Sequence, residues 1–153
     1  MMLVLLIVMI GLMGGIYFSF SIFVMKALSE LPALQAAQVM NRINEIIVKT
    51  LFLPLFFGST LLSVGLMIWS FLQWQGLSST LVIVATLIYV AGMFLVTVIG
   101  NVPLNNALQA REEDPQELVS YWSVYLKQWT RLNHIRTLSC ILACFILSWI
   151  QMN

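Results

Sequence analysis

Long apolar stretches alternate with two polar connections along the chain. A bilayer-spanning helix requires about 20 residues, and three of the stretches have this length. The fourth is too short alone, so its helix must begin earlier, near residue 118, where helical spacing starts without a breaker. The pattern predicts an all-α, integral membrane four-helix bundle forming a single domain over residues 1–153. The predicted spans are residues 3–24, 51–71, 81–100 and 137–150.

The two polar connections, residues 25–50 and 101–136, are also expected to be helical. After Pro32, apolar positions recur at helical spacing, which predicts an amphipathic helix leading into the second span. From Leu118 to Ile150 the spacing stays helical over about 50 Å at 1.5 Å per residue. Because this exceeds the bilayer core, the long fourth helix is expected to project into the cytoplasm.

Composition and charge restrict the class of protein. Apolar residues make up 61% of the chain and charged residues 8%, against about 25% charged residues in a soluble domain. Lipid must therefore solvate most of the chain, and the lipid bilayer is its first expected partner. The net charge of +1 indicates no nucleic-acid partner.

Every lysine, arginine and acidic residue lies in the two polar connections, which four spans place on one side of the membrane. Basic residues favour the cytoplasmic side. We therefore expect a multi-pass protein of the cell (inner) membrane, with residues 25–50 and 101–136 in the cytoplasm and both termini outward.

Polar and aromatic residues of the fourth helix fall on two opposite faces at about 100° per residue. The aromatic face is expected to point inward, while the basic face extends towards lipid phosphates. Arg136 then either reaches the membrane surface or faces a polar cavity, where it would bind an anionic or phenolate oxygen. The first face carries Trp122, Tyr125, Trp129, Asn133, Arg136 and Cys140, and the second carries Lys127, Arg131 and His134.

Asparagines form a second polar group at the same depth. Asn101 and Asn105 are four residues apart at the end of the third span, and an amide is costly in lipid unless it is paired. They form either a helix-end cap beside Pro103 or an amide cluster that faces the bundle. Aromatic walls with a few fixed polar groups are typical of a small-molecule site. The predicted substrate-binding residues are Asn44, Asn101, Asn105, Trp122, Tyr125 and Trp129, and the predicted catalytic residues are Arg136, Asn133 and His134.

His134 is the single histidine of the chain. It is either an interfacial polar residue or a functional group, namely a base or an axial metal ligand. No Cys, Asp or Glu stands close to it in sequence, which argues against a protein-only zinc or di-iron site. We predict no metal and no cofactor, although a haem with His134 and a methionine as axial ligands remains open.

Several short motifs resemble those of one known family. They are Asn101-Val102-Pro103-Leu104-Asn105, Trp129-x3-Asn133-x2-Arg136-Thr137, Val24-Met25-x2-Leu28 and Met40-x3-Asn44. In these motifs the chain resembles the anthrone oxygenase-like membrane family, and the resemblance covers nearly its whole length. The resemblance implies four membrane helices and, from fungal members, oxidation of an anthrone to an anthraquinone with molecular oxygen. It implies no established cofactor, and most bacterial members have no assigned role.

Three functions are compatible with these patterns. The first is a membrane oxidoreductase or oxygenase that acts on a lipophilic aromatic or quinol at the cytoplasmic interface. It could work without a cofactor, because an enolate or phenolate can pass an electron to oxygen directly if its anion is stabilised. His134 is the neutral-pH base of the chain, but it would have to act from the opposite helix face.

The second function is a non-catalytic membrane subunit that binds a lipid, quinone or haem in the same pocket. The third, a small transporter, is disfavoured because no charged residue lies within a predicted span and no internal repeat is present. The expected ligand is a lipophilic small molecule, and a homo-oligomer or a partner membrane protein is left open.

Overall fold

The computed structural model describes residues 1–152, which form five helices and no strand within that range. Four helices are long and apolar enough to cross a membrane, and a shorter amphipathic helix stands between the first two in sequence. This confirms the predicted all-α membrane bundle, and the chain is a multi-pass membrane protein. The helices are α1 (Met2–Ser29), α2 (Ala33–Ile47), α3 (Phe52–Leu72), α4 (Leu77–Gln109) and α5 (Pro115–Met152).

Helix α2 begins directly after Pro32, as the sequence predicts. The backbone of Pro32 is extended, with φ −51° and ψ 133°, and proline suits this position because it has no N–H to contribute to a preceding turn. The face that α2 buries is formed by Ala36, Ala37, Met40 and Asn41. One polar residue, Asn41, therefore lies on an otherwise apolar face.

Helix α4 continues past residue 100, where the third span was predicted to end, as far as Gln109. Pro103 has no N–H, so it cannot donate to the carbonyl of Ile99. A π-helical turn, Thr97–Asn101, immediately precedes it, and such a turn lets a helix continue through a proline by local adjustment. Asn105 is thereby held on the same helix as Asn101.

Helix α5 begins at Pro115, close to the predicted start near residue 118. The Asp114 carboxylate caps it, because its Oδ1 accepts hydrogen bonds from the backbone N–H groups of Gln116 at 2.9 Å and Glu117 at 3.2 Å. Its 38 residues span about 57 Å at 1.5 Å per residue. The helix is thus longer than the bilayer core, as predicted.

Two apolar clusters hold the bundle together. The first, which we call the membrane cluster, includes Leu6, Met13, Tyr89 and Leu147 and lies among the spans. The second, the charged-end cluster, lies beside the charged connections. It buries one face of the first half of α5 against α1, α2 and α4, so this half is packed rather than free. Its buried members are Met25, Leu28, Ala36, Ala37, Met40, Leu108, Leu118, Trp122, Tyr125 and Trp129.

Helices α4 and α5 approach each other closely on the membrane side of the charged-end cluster, and this contact fixes the distance between them. A Cβ atom added at Gly92 would lie 1.8 Å from Ser139 Oγ and 2.6 Å from Ser139 Cβ. Small residues permit this kind of contact between membrane helices. The contact lies about one turn from Thr97 on α4 and from Arg136 on α5, which therefore face each other.

Candidate functional site

Arg136 is deeply buried between α1, α4 and α5, with 4% of its surface exposed. Its guanidinium carbon lies 4.3 Å from the ring centroid of Tyr17 and 5.0 Å from that of Trp129. Nη2 donates to Asn133 Oδ1 at 2.7 Å, and Nη1 lies 3.4 Å from Thr97 Oγ1. Two aromatic faces and two neutral oxygens thus surround the cation.

No carboxylate of residues 1–152 pairs with this buried cation. The salt bridge of that range joins Arg42 and Glu45 at 2.7 Å, on the exposed side of α2. The Nε of Arg136 is buried without a hydrogen-bond partner. A buried charge is costly unless it is paired, so the site is suited to receive an anionic group.

Asn133 lies behind Arg136 and holds it. The side chain is fully buried, and its Nδ2 donates to the Tyr17 carbonyl and to Ser21 Oγ, both at 2.7 Å. Its Oδ1 accepts from Arg136. Because every polar atom of the amide is bonded to protein, the geometry gives Asn133 a positioning role. A direct part of Asn133 in catalysis stays a prediction.

A cavity of about 210 Å³ lies beside the guanidinium, and residues of all five helices line it. Its walls are mainly apolar and aromatic. Three of the lining residues are exposed, namely Val48 just after α2, Phe57 on α3 and Val102 on α4. The polar lining residues are Tyr17, Asn44, Thr97, Asn101, Asn105 and Arg136, and the aromatic ones include Phe20, Phe52, Phe56, Phe57 and Trp129.

Two amides on α4 are fixed against α5 at the edge of the cavity. Asn105 Oδ1 accepts hydrogen bonds from Tyr125 OH and Trp129 Nε1, both at 2.9 Å. Asn101 Nδ2 donates to the Trp129 carbonyl at 3.3 Å, while Asn101 Oδ1 is buried without a partner. These asparagines cross-link two helices, and Asn101 leaves one acceptor towards the cavity.

The structure brings together most of the predicted substrate-binding residues. Asn44, Asn101, Asn105 and Trp129 all line the cavity with Arg136. Trp122 and Tyr125 are not among the residues that line it, and their part in substrate binding stays a prediction. Both are buried in the charged-end cluster because α2 covers this part of the α5 stripe, although Tyr125 still contacts the site through Asn105.

His134 lies on the opposite side of α5, as the helical wheel predicts, and its side chain is exposed. It lines a surface groove with Lys26, Lys127 and Arg131. Since α5 itself separates this groove from the cavity, the inclusion of His134 among the catalytic residues is not supported. No group of three or more His, Cys, Asp or Glu side chains in residues 1–152 could hold a metal ion.

Sequence reasoning missed two residues that contact the guanidinium, Tyr17 and Thr97. Both lie inside apolar spans, where their contacts depend on how α1 and α4 pack against α5. A weak signal was present. A buried tyrosine hydroxyl usually finds a partner, and Tyr17 with Ser21 and Thr97 with Asn101 form polar pairs at i, i+4 spacing.

Comparison with known proteins identifies a family to which the chain is similar. The family model described as Anthrone oxygenase matches residues 48–146. The matched segment includes α3, α4 and most of α5, whereas α1 and α2, with Tyr17 and Asn44, lie outside it. No curated protein and no solved structure matches the chain. The site residues inside the matched segment are Thr97, Asn101, Asn105, Trp129, Asn133 and Arg136.

Proposed function

The chain belongs to the anthrone oxygenase family, and we propose that it is a membrane oxidoreductase that binds a lipophilic phenol, anthrone or quinol beside Arg136. The observation that carries the proposal is the buried guanidinium, which has no carboxylate partner within residues 1–152 and lines an aromatic cavity. A phenolate or enolate oxygen would supply the missing counter-charge. The apolar walls would hold the rings of the same molecule.

The proposed role of Arg136 is to stabilise the anion of the substrate. A cation in a water-poor site lowers the free energy of a bound oxyanion far more than it would in water. The rings of Tyr17 and Trp129 and the oxygens of Asn133 and Thr97 hold the guanidinium before substrate binds. The anion therefore gains its stabilisation without reorganisation of the protein.

For an anthrone, the proposed overall reaction converts a ring CH₂ group and O₂ into a ring carbonyl and water. The substrate first loses one ring proton to solvent, and the enolate carbon then gives one electron to O₂. The resulting superoxide and carbon radical combine into a carbon-bound peroxide anion, which takes up a proton from solvent and becomes a hydroperoxide. Loss of water then forms the carbonyl, so one oxygen atom stays in the product and the other leaves with both hydrogens. In this scheme O₂ is the oxidant, and the protein supplies anion stabilisation and a dry cavity.

The proposed orientation has the charged end of the bundle in the cytoplasm and both termini outward, in the cell (inner) membrane. It is supported by the distribution of lysine and arginine, which all lie in residues 25–50 and 101–136. In this orientation the cavity lies near the cytoplasmic interface. The substrate would enter from the adjacent leaflet.

A second candidate is a non-catalytic subunit that binds a quinone or lipid in the same cavity. One observation favours it, since no His, Asp, Glu or Lys is among the residues that line the cavity. As an enzyme, the protein would have to release the substrate proton to solvent. A haem held by His134 would lie at the opposite face of α5 and would not use this cavity.

Oxygen uptake by the purified protein in lipid nanodiscs, with anthrone as substrate, tests the proposal. We expect Arg136→Gln to lower the rate by about 100-fold or more, the scale seen when one oxyanion donor is removed. Arg131→Gln and His134→Gln are controls on the exposed face and should remain within about two-fold of the original rate. Ligand binding without oxygen uptake would favour the second candidate, and equal rates in Arg136→Gln and the original protein would contradict the first.

A further inference from the structure

A polar space adjoins the mainly apolar cavity, and the proposed function does not use this space. This space, which we call the amide groove, has a volume of about 480 Å³ and lies between α2 and the last turns of α4. It shares four residues with the cavity, so the two spaces meet along one wall. The shared residues are Asn44, Val48, Val102 and Asn105, and the groove adds Asn41, Glu45, Lys49, Asn106 and Gln109.

Unpaired polar atoms concentrate at these two spaces. Asn41 is 2% exposed, yet neither its Nδ2 nor its Oδ1 has a hydrogen-bond partner, and the Nδ2 of Asn44 is also buried and unpaired. Of the six such atoms in residues 1–152, five belong to residues of the cavity or the groove. Buried polar groups normally have partners, so the unpaired amide of Asn41, together with the Nδ2 of Asn44, indicates a ligand.

The groove has the chemistry of a hydroxyl-binding surface. An amide offers both donors and an acceptor, which is what a hydroxyl group requires of its partners. Glu45 is already bonded to Arg42 at 2.7 Å, and Lys49 is the other charged residue of the lining. The charges of Glu45 and Lys49 oppose each other, so the groove is not specialised for an anion.

The size of the cavity limits what can lie beside Arg136. An apolar protein cavity of about 150 Å³ holds benzene, so the 210 Å³ here accommodates a small ring system of roughly one or two rings. A larger ligand, such as an anthrone with its three fused rings, would have to extend beyond the cavity. The amide groove is the polar space that shares its wall, and Asn105 stands at the junction, fixed by Tyr125 and Trp129.

We propose that the natural ligand is an amphiphilic aromatic molecule. Its ring lies in the cavity with an oxygen at Arg136, and a hydroxyl-bearing substituent lies in the amide groove, bound by Asn41 and Asn44. The first half of this statement rests on the proposed function, whereas the second rests on the unpaired amides. Hydroxyls could also come from a lipid head group, so the experiment separates the two sources.

The experiment compares two ligands by calorimetry with the full chain in phosphatidylcholine nanodiscs. The ligands are 2,6-dihydroxynaphthalene and its monoglucoside, 6-hydroxy-2-naphthyl β-D-glucoside, which keeps one free phenol. We expect the glucoside to bind at least about 10-fold more tightly, because several hydroxyls pair with unpaired amides. In Asn41→Leu the two ligands should bind with similar affinity, whereas Gln38→Leu, on the exposed side of α2, should keep the difference.

Asn41→Leu breaks no hydrogen bond seen in the structure, and its thermal unfolding should confirm a folded protein. Asn41→Ala provides a second variant if leucine is not tolerated. Equal affinities in the original protein, or a glucoside preference that survives in both Asn41 variants, would overturn the groove proposal. If the preference disappears when the discs contain phosphatidylglycerol, the groove belongs to a lipid head group and the proposal is also overturned.

Arg136→Gln separates this result from that of the proposed function. Weaker binding of 2,6-dihydroxynaphthalene in this variant supports the cavity assignment even if the glucoside shows no preference. Unchanged binding removes the cavity assignment, yet a glucoside preference that depends on Asn41 would still support the groove. If the original protein binds neither ligand, both proposals fail.

Discussion

Helix α5 carries an arginine on each of two opposite faces, and their surroundings differ in every respect. Arg131 is exposed in a groove with Lys26, Lys127 and His134. Arg136, five residues later, is 4% exposed and lies over two aromatic rings. An exposed arginine at a membrane boundary needs only water or a phosphate. A buried one without a carboxylate is costly to keep, and this cost is what indicates function at Arg136.

Replacement of each arginine by lysine should separate the two faces most strongly. Lysine keeps the charge, but it cannot stack on Tyr17 and Trp129 or donate along a planar fork to Asn133 and Thr97. We expect Arg136→Lys to lower oxygen uptake by about 10- to 100-fold. Arg131→Lys should stay within about two-fold, because an exposed side chain that contacts no ordered partner tolerates the exchange. A similar loss in both variants would show that charge at this depth, not burial, controls activity.

Aspartate at two neighbouring positions gives a second contrast. Asn133→Asp would place a carboxylate 2.7 Å from Arg136 Nη2 and neutralise the cation that the substrate oxyanion needs. We expect KM to rise by about 10-fold. Unfolding stability should fall, because a carboxylate oxygen would replace the Nδ2 group that donates to the Tyr17 carbonyl, which offsets the gain of a partner for the buried charge. His134→Asp, on the exposed face, should leave KM unchanged. If Asn133→Asp binds substrate as well as the original protein, Arg136 does not act as the counter-ion.

The stability of two glycine-to-alanine variants should distinguish a close helix contact from a position that has free space beside it. Gly92→Ala would force its Cβ to within 2.6 Å of Ser139 Cβ, so α4 and α5 must separate, at a cost of about 1–3 kcal/mol. Gly15→Ala meets no atom within 4 Å and should leave stability unchanged or slightly raise it. Unfolding in SDS measures both. Equal stabilities would mean that the α4–α5 contact does not fix the position of Thr97 relative to Arg136.

The periodicity of apolar and polar residues in the sequence predicted much of this arrangement. Apolar length predicted the four spans, and the 3.6-residue repeat predicted that Trp129, Asn133 and Arg136 share the inner face of α5. The same repeat made Trp122 and Tyr125 look like pocket walls, because it cannot show that α2 covers them. Periodicity describes one helix at a time, whereas the burial of Trp122 and Tyr125 depends on how α2 packs against α5.

Other features depended on contacts that no local pattern contains. Tyr17 and Thr97 surround Arg136 only because α1 and α4 pack at one particular register against α5. Pro103 is normally a sign of a helix end, yet the π-helical turn before it carries α4 on to Gln109. That extension gives Asn105 its place between Tyr125 and the cavity.

The central claim is that Arg136 holds an anionic oxygen inside the cavity. The direct measurement is the ionisation of bound 4-nitrophenol, followed by its visible absorbance as pH is changed, in the original protein and in Arg136→Gln and Arg131→Gln. A neighbouring cation favours the charged form of a phenol, so we predict that bound 4-nitrophenol has a lower pKa than free 4-nitrophenol. In Arg136→Gln its pKa should rise above the free value, because the apolar cavity then disfavours the anion, while Arg131→Gln should behave as the original protein. A bound pKa that is the same with and without the Arg136 guanidinium would contradict the claim.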